Sequence, residues 1–423
     1  MAFFVRMVKS FAQLGTRMPK LRSLDLFSGV GGITRALHGF AEPIAYCDVD
    51  PLSRRALQDL IGRGELPAAP VSSDVNDLDA AWLRKHAGTG KPLQLIVGGF
   101  PCVGFSPFGL RKGFGNEESN LFYQILRIAD QTRCPALFLE NVPPILNMGM
   151  REVVYQLAHK RGYEVRWCLA SARMMGAPHQ RNRWYCLAVK PGFSCALRSA
   201  VKYRAFSWSK SSMPPRAVEE QTSGTIASQA LMGNSVVPDA VRYAFLYLAS
   251  RFTHVPVRSL STKSGWHVEP APRPSSAAVH LARAGEPPKL KRWPRCCIYT
   301  PAGEMVPHPS LPPYRPGLQL KLVFDSHLYK APQGYSELKI YPILRRPVVA
   351  KSWATPRHGV TGASNALTQR TVRDLPSQVR FERSTPNRLR PGAVNPVFVE
   401  WLMGYPAGWT RGGGDRSIET RGL

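Results

Sequence analysis

The chain has 423 residues, of which 56 are Lys or Arg and 28 are Asp or Glu, giving a net charge of +28. That length can bury a substantial core in two or three domains, and that charge favours a polyanionic partner, nucleic acid above all. No apolar run approaches the ~18 residues of a membrane span, and the eight cysteines include no C-x-x-C pair that would suggest structural zinc.

Residues 1–20, MAFFVRMVKSFAQLGTRMPK, are basic, apolar and free of acids. The pattern suits an organellar presequence; the plainer reading is a dispensable extension, with Met18 close to where folding starts. From residue 21 strands and helices alternate. LRSLDLF is a strand ending in the glycine-rich SGVGG, and TRALHGF opens helically. PIAYCDVD is a second strand, followed by the helical PLSRRALQDLIGRG. LQLIVGGF is a third strand and NLFYQILRIADQT an amphipathic helix. CPALFLENV is a fourth strand, REVVYQLAHKRG is helical, YEVRWCLAS is extended and RNRWYCLAVK is another strand. This alternation predicts an open, mostly parallel α/β sheet over residues 21–252.

Beyond residue 252 the character changes. Residues 253–316 are rich in Pro, Ser, Arg and Lys, with stretches such as PAPRPSSA and PHPSLPPYRPG, and read as a linker or loops. Residues 317–423 contain short extended runs, LQLKLVF and SELKIYPIL, and form a smaller, irregular basic region. From residue 251 to the last there are 26 basic and 10 acidic residues, net +16, so much of the positive charge sits in the less regular part.

Ligands of open α/β sheets bind at the carboxyl ends of the strands, and the chemically suggestive residues fall there. The turn DLFSGVGG lets Gly29, Gly31 and Gly32 bring backbone close to a ligand. It is neither G-x-G-x-x-G nor a phosphate loop with its lysine, so a dinucleotide or triphosphate is disfavoured. Asp48, at the end of the second strand, suits the hydroxyls of a ribose. Cys102 follows the third strand in GGFPCVGFSPFG, and Glu140 ends the fourth. Taken alone, Cys102 reads as a small buried hydrophobe; the company of the other residues favours a nucleophile.

In order along the chain, DLFSGVGG, CDVD, SDVND, GGFPCVGFSPFG, SNLFYQILRI, FLENV, GAPHQRNRWYCLA and LMGNSVVPDAV resemble the motifs of the DNA (cytosine-5)-methyltransferases. The resemblance implies a Rossmann-like class I methyltransferase fold and S-adenosylmethionine as cofactor, with no metal. It implies double-stranded DNA as partner, with the target cytosine flipped out of the duplex. Cys102 matches the thiolate that attacks carbon 6 of the ring, Glu140 the acid that serves nitrogen 3, and Arg181 and Arg183 the Arg-x-Arg pair beside them. Phe27, Gly29, Gly31, Asp48, Val49, Asp74, Val75, Leu121, Asn234 and Val236 match the cofactor pocket. A monomer without membrane contact, in the cytoplasm or nucleus and not secreted, is expected.

Some positions depart from the family. Asp48 stands where Glu is usual, and Val103 and His179 each replace a common Gln. The family places its target-recognition region between the Arg-x-Arg strand and the GNSV-like segment, but here that gap is only residues 189–230. The late SWATPRHG and NPVFVEWLMGYPAGWT resemble the carboxyl-terminal part of phage-type relatives, which suggests that recognition lies in residues 317–423. A tRNA methyltransferase with the same mechanism is the alternative, and GFS where the RNA-directed branch carries Phe-Thr speaks against it. A catalytically silent nucleic-acid-binding relative is the other, and retention of Cys102, Glu140 and Arg183 speaks against that.

Overall fold

The computed structural model describes residues 20–88, 92–101, 121–193, 206–208, 211–215, 217–218, 222–249, 287–288, 290, 293–303, 305–307, 318–323, 339–344 and 393–413. The amino-terminal extension up to residue 19 and Cys102 lie outside these residues.

The predicted strands form, as β1 (Leu21–Leu26), β2 (Ala41–Cys47), β4 (Leu95–Gly99), β5 (Ala136–Asn141), β6 (Glu164–Ser171) and β7 (Asn182–Val189). A short β3 (Val71–Ser72) that the alternation does not predict lies between β2 and β4 in the chain. Further along lie β8 (Ala217–Val218), β9 (Cys297–Tyr299), β10 (Met305–Pro307), β11 (Leu318–Val323), β12 (Lys339–Leu344) and β13 (Ala393–Val394). One nine-stranded sheet has the order β10-β9-β6-β7-β5-β4-β1-β2-β3. Strands β3, β2, β1, β4 and β5 are mutually parallel. Antiparallel pairing of β7 with β5 and β6, and of β9 with β6 and β10, sets only β7 and β9 against the common direction. The mostly parallel α/β sheet expected from the alternation is therefore present. Its order reverses between β1 and β4, and the crevice at the carboxyl ends of strands on either side of such a reversal is where open α/β sheets bind ligands.

Strand alternation builds two cores, one on each face. In β5, Ala136 and Phe138 join one cluster while Leu137 and Leu139 join the other. The first face is covered by helices Gly32–Ala36, Pro51–Gly62, Pro238–Ala249 and Pro396–Met403; the second is covered by helix Leu121–Thr132 and the short helices that follow β5. Helix Pro51–Gly62 starts where it does because Asp50 caps it, accepting from the backbone of Leu52 and Ser53, and because Pro51 needs no N–H partner there. In helix Leu121–Thr132 the buried residues Phe122, Ile125, Leu126, Ile128 and Ala129 follow the helical period on one side. Helix Pro238–Ala249 is buried on every side. Its one arginine, Arg242, donates to the carbonyls of Ala36 and His38 at 2.8 and 3.0 Å and lies 4.5 Å over the Phe40 ring.

Two boundaries differ from the sequence expectation. Within the stretch 253–316 expected as a linker, β9 and β10 extend the central sheet, and Trp293, Cys297, Tyr299 and Met305 are buried in the second core. Strands of three residues each are too short to show a period against a Pro-rich background. Within the region 317–423 expected to stand apart, residues 393–413 belong to the first core. Strand β13 pairs with β8, and Phe398, Val399, Trp401, Leu402, Met403, Tyr405 and Trp409 are all buried. The two extended runs seen in the sequence become β11 and β12, an antiparallel pair.

Strand β1 carries one acid into this packing. Asp25 is 1% exposed, and its Oδ2 accepts the Thr34 hydroxyl at 2.6 Å. Burial pushes its carboxyl from the ordinary 3.8 up to about 7, against the opposing hydrogen bonds from Thr34. Folding therefore takes up a proton at Asp25 between about pH 4 and 7, and this residue's contribution to stability falls as pH rises through that window. Asp25→Asn should gain stability relative to the parent chain at pH 8 compared with pH 5, measured by chemical denaturation at both; an unchanged difference would refute the raised carboxyl. Phe398→Ala should cost about 3–5 kcal/mol in the same measurement, whereas a loss within ~0.5 kcal/mol, as for a surface site, would show that residues 393–413 do not belong to the core.

Candidate active site

On leaving β1 the chain turns through left-handed backbone at Phe27 (φ 55°), Gly29 (54°) and Gly31 (70°). The Gly29 N–H donates to Asp48 Oδ2 at 2.7 Å, and a Cβ on Gly29 would meet nothing within 4 Å, so bare backbone faces open space there. Gly31 plays a different part: the place of its missing side chain is filled by Leu66, which lets the helix Gly32–Ala36 pack closely. Phe27 is half-buried against the second core.

Asp48 follows β2. Its Oδ1 accepts the Asp50 N–H at 2.9 Å, and burial pushes its carboxyl up while the N–H groups of Gly29 and Asp50 pull it back. Each carboxylate oxygen retains a free lone pair, the acceptor pair that a vicinal diol requires. Val49 beside it is 73% exposed, an apolar face standing in solvent. Arg54 fixes this turn by donating to the carbonyls of Asp48 and Val49 at 3.1 and 2.6 Å. Open glycine backbone, a diol acceptor and an exposed aliphatic face fit a nucleoside-bearing cofactor.

The remaining predicted pocket residues are spread more widely. Asp74 Oδ1 accepts from the backbone and side chain of Asn76 at 2.8 and 2.9 Å. Val75 is buried, with its carbonyl taken by Arg127 at 2.9 Å. Leu121 opens its helix half-buried, Asn234 ends the helix Ser223–Asn234 exposed, and Val236 is buried. Among the described residues no hydrogen bond or ion pair joins Asp74, Leu121 or Asn234 to Asp48 or Gly29.

The second half of the site follows from strand register. In the antiparallel pair, Glu140 of β5 stands opposite Tyr185 of β7, and Arg183 lies two residues along on the same face. Arg183 Nε consequently meets Glu140 Oε1 at 2.9 Å. Burial pushes the Glu140 carboxyl up; Arg183 and Arg181 oppose it. Arg181, buried at φ 33°, donates Nη2 to the Gly233 carbonyl at 2.9 Å and also to the Ser235 carbonyl, tying the Arg-x-Arg element to the GNSV segment. His179 is fully buried, and neither ring nitrogen has a partner among the described residues. Burial, with Arg181 and Arg183 nearby, pulls it down to about 3, so the ring is neutral.

On its other side β5 is parallel to β4, with Gly99 beside Glu140. A Cβ at Gly99 would sit 2.9 Å from Glu140 Oε2, so the glycine makes room for the carboxyl. Asn141 donates to the Phe100 carbonyl at 3.1 Å and accepts from the Val142 N–H at 2.8 Å, which pins the chain directly before Pro101. Cys102 itself is outside the described residues. The parts of Gly99 and Tyr185 escaped the sequence reading because they depend on register. Tyr405 and Trp409, which reach the GNSV segment and the glycine-rich turn, belong to NPVFVEWLMGYPAGWT, a stretch whose resemblance points to recognition and not to this site.

A sequence model of the C-5 cytosine-specific DNA methylases matches residues 21–235, just over half of the chain. The Type II methyltransferase M.CviJI of Paramecium bursaria Chlorella virus IL3A is 28% identical over 390 residues, 91% of this chain and 96% of that one. The Type II methyltransferase M.MspI of Moraxella sp is 29% identical over 170 residues, 39% of this chain and 38% of that one. Among solved structures, the S. pombe Dnmt2 methyltransferase is similar with a TM-score of 0.33 and 23% identity, over 41% of this chain and 52% of that chain. This chain thus spans nearly all of the viral relative and well under two thirds of the other two. Motifs in family order, the strand order that gathers them and a family match over the same residues lead to one conclusion: the chain belongs to the C-5 cytosine-specific DNA methylase family and is a DNA (cytosine-5)-methyltransferase.

Proposed function

We propose that Cys102 is the nucleophile of this methyltransferase, that Glu140 and Arg183 manage the proton at the target ring, and that the crevice between β1 and β4 holds S-adenosylmethionine. The observation that carries the reading is the Glu140–Arg183 pair at 2.9 Å, set beside the strand that leads into Pro101 and Cys102.

Carbon 5 of cytosine is too electron-poor to take an electrophile unaided. Addition of the Cys102 thiolate to carbon 6 forms a carbon–sulfur bond and moves an electron pair into the ring. Protonation at nitrogen 3 accommodates that pair. Desolvation of the buried Glu140 carboxyl favours its protonated form, the form that can give this proton. Once the proton has gone, the Arg183 guanidinium stabilises the carboxylate left behind. Arg181 keeps the loop bearing residues 233–235 against the pair through two carbonyls. The bound cofactor supplies an electrophilic methyl group. Its bonding to carbon 5 would leave that carbon with one proton too many. Loss of that proton to solvent and return of the nitrogen-3 proton to the Glu140 carboxylate restore the neutral ring as the carbon–sulfur bond breaks, its electron pair leaving on Cys102 as a thiolate.

Gly29 backbone and the Asp48 carboxylate would hold the methionine and ribose ends of the cofactor, with Val49 against the adenine. Phe27, Gly31, Asp74, Val75, Leu121, Asn234 and Val236 complete the assignment by resemblance. The target cytosine would leave the duplex to reach this crevice, and one chain suffices for the chemistry. Sequence recognition falls to the region 317–423, in the part of it that precedes the core segment 393–413, where basic residues outnumber acids. The enzyme would act wherever its DNA lies, in cytoplasm or nucleus.

Cys102→Ser should abolish transfer of labelled methyl to DNA and covalent trapping on 5-fluorocytosine DNA, while binding S-adenosylmethionine as the parent chain does; full activity in that variant would remove the central claim. Glu140→Gln should lower kcat by about 10²–10⁴ with cofactor affinity within about twofold, read by single-turnover kinetics and calorimetry. A kcat unchanged by that substitution would leave nitrogen 3 without its proton donor.

A further inference from the structure

The two backbone segments bordering the crevice, residues 28–32 and 234–237, are gripped by one stretch far along the chain. Trp409 Nε1 donates to the Val30 carbonyl at 3.0 Å, and Tyr405 Oη donates to the Val236 carbonyl at 2.8 Å. Both rings are 1% exposed and their centroids lie 5.4 Å apart. The grip is close: a Cβ on Gly32 would overlap the Tyr405 hydroxyl and crowd Val236. The Arg35 guanidinium lies over the Trp409 ring, 4.5 Å from its centroid.

The stretch is itself rigid. The buried Glu400 carboxylate accepts from the N–H groups of Gly408 and Thr410, both at 2.7 Å, and from the Thr410 hydroxyl at 2.6 Å. Arg63 donates to the Gly408 carbonyl at 3.2 Å, fastening the turn to the end of helix Pro51–Gly62. Two aromatic donors on one stiff turn thus fix two carbonyls, one on each border of the crevice.

We propose that Tyr405 and Trp409 are positioning residues for the cofactor: by fixing the Val30 and Val236 carbonyls they preset the distance between the glycine-rich turn and the GNSV segment. Neither residue touches the cofactor. The proposal rests on the assignment of that crevice to S-adenosylmethionine. Its physical basis is preorganisation, since a pocket whose two backbone walls are already held loses less freedom when a ligand orders them.

Trp409→Phe and Tyr405→Phe each remove one hydrogen bond and keep the ring. Calorimetric titration of the full chain with S-adenosylhomocysteine should show Kd raised about three- to tenfold by either variant and further by the pair. The KM for S-adenosylmethionine should rise in step, while kcat at saturating cofactor and the Kd for DNA stay within about twofold. Phe398→Ala removes a buried ring from the preceding helix and leaves both carbonyl contacts and the Glu400-held turn in place, so at a temperature where it remains folded its cofactor Kd should stay within about twofold of the parent's. Arg35→Met, which uncovers the Trp409 ring, is the milder probe should Trp409→Phe fail to fold, and its Kd should rise at least twofold. Folded variants that bind S-adenosylhomocysteine like the parent overturn the proposal and leave the crevice assignment standing. A parent chain that does not bind S-adenosylhomocysteine overturns both.

Discussion

The register of β7 on β5 is the constraint on which the site depends. A slip of one residue in that antiparallel ladder would turn Arg183 to the other face of the sheet and leave the Glu140 carboxyl buried without its cation. With the register as it stands, desolvation raises the carboxyl while the guanidinium 2.9 Å away limits the cost. A group so balanced can give a proton to a ring nitrogen and bear the charge that remains. The chain entering the same strand places Arg181 where it reaches the carbonyls of Gly233 and Ser235, so the Glu140–Arg183 pair and the GNSV segment are held together.

The parallel half of the sheet supplies the complement. Because the strand order reverses between β1 and β4, the glycine-rich turn and the approach to Cys102 leave neighbouring strands at the same end. Gly99 links the halves: beside Glu140 on β4, it is the position where any side chain would press on the carboxyl. Asn141 then holds the Phe100 carbonyl, so the residues just before Pro101 are fixed by the strand that also bears Glu140.

Closure of the core comes from far along the chain. Residues 393–413 pack among helices that belong to the first half, and β9 and β10 extend the sheet from within a stretch whose composition reads as linker. The two cores are therefore built from segments far apart in the sequence: the strands and helices up to Pro238–Ala249, the two short strands β9 and β10, and residues 393–413.

The sequence by itself determined the α/β alternation, the principal strands of the catalytic half and the identity of the chemical groups, because buried strands and glycine-rich turns carry strong local signatures. Asp48, Glu140 and the arginines were legible for the same reason, each lying at a strand end in a recognisable string. The tertiary structure alone decided which of them meet. The Glu140–Arg183 contact depends on cross-strand register, and Gly99 owes its part to a neighbour forty-one residues on. It alone decided the domain boundary as well. The apolar residues of NPVFVEWLMGYPAGWT require burial against something, but their pattern cannot say that the partners are Val30 and Val236, 379 and 169 residues earlier. Local sequence sets what a segment must bury, and long-range packing sets where.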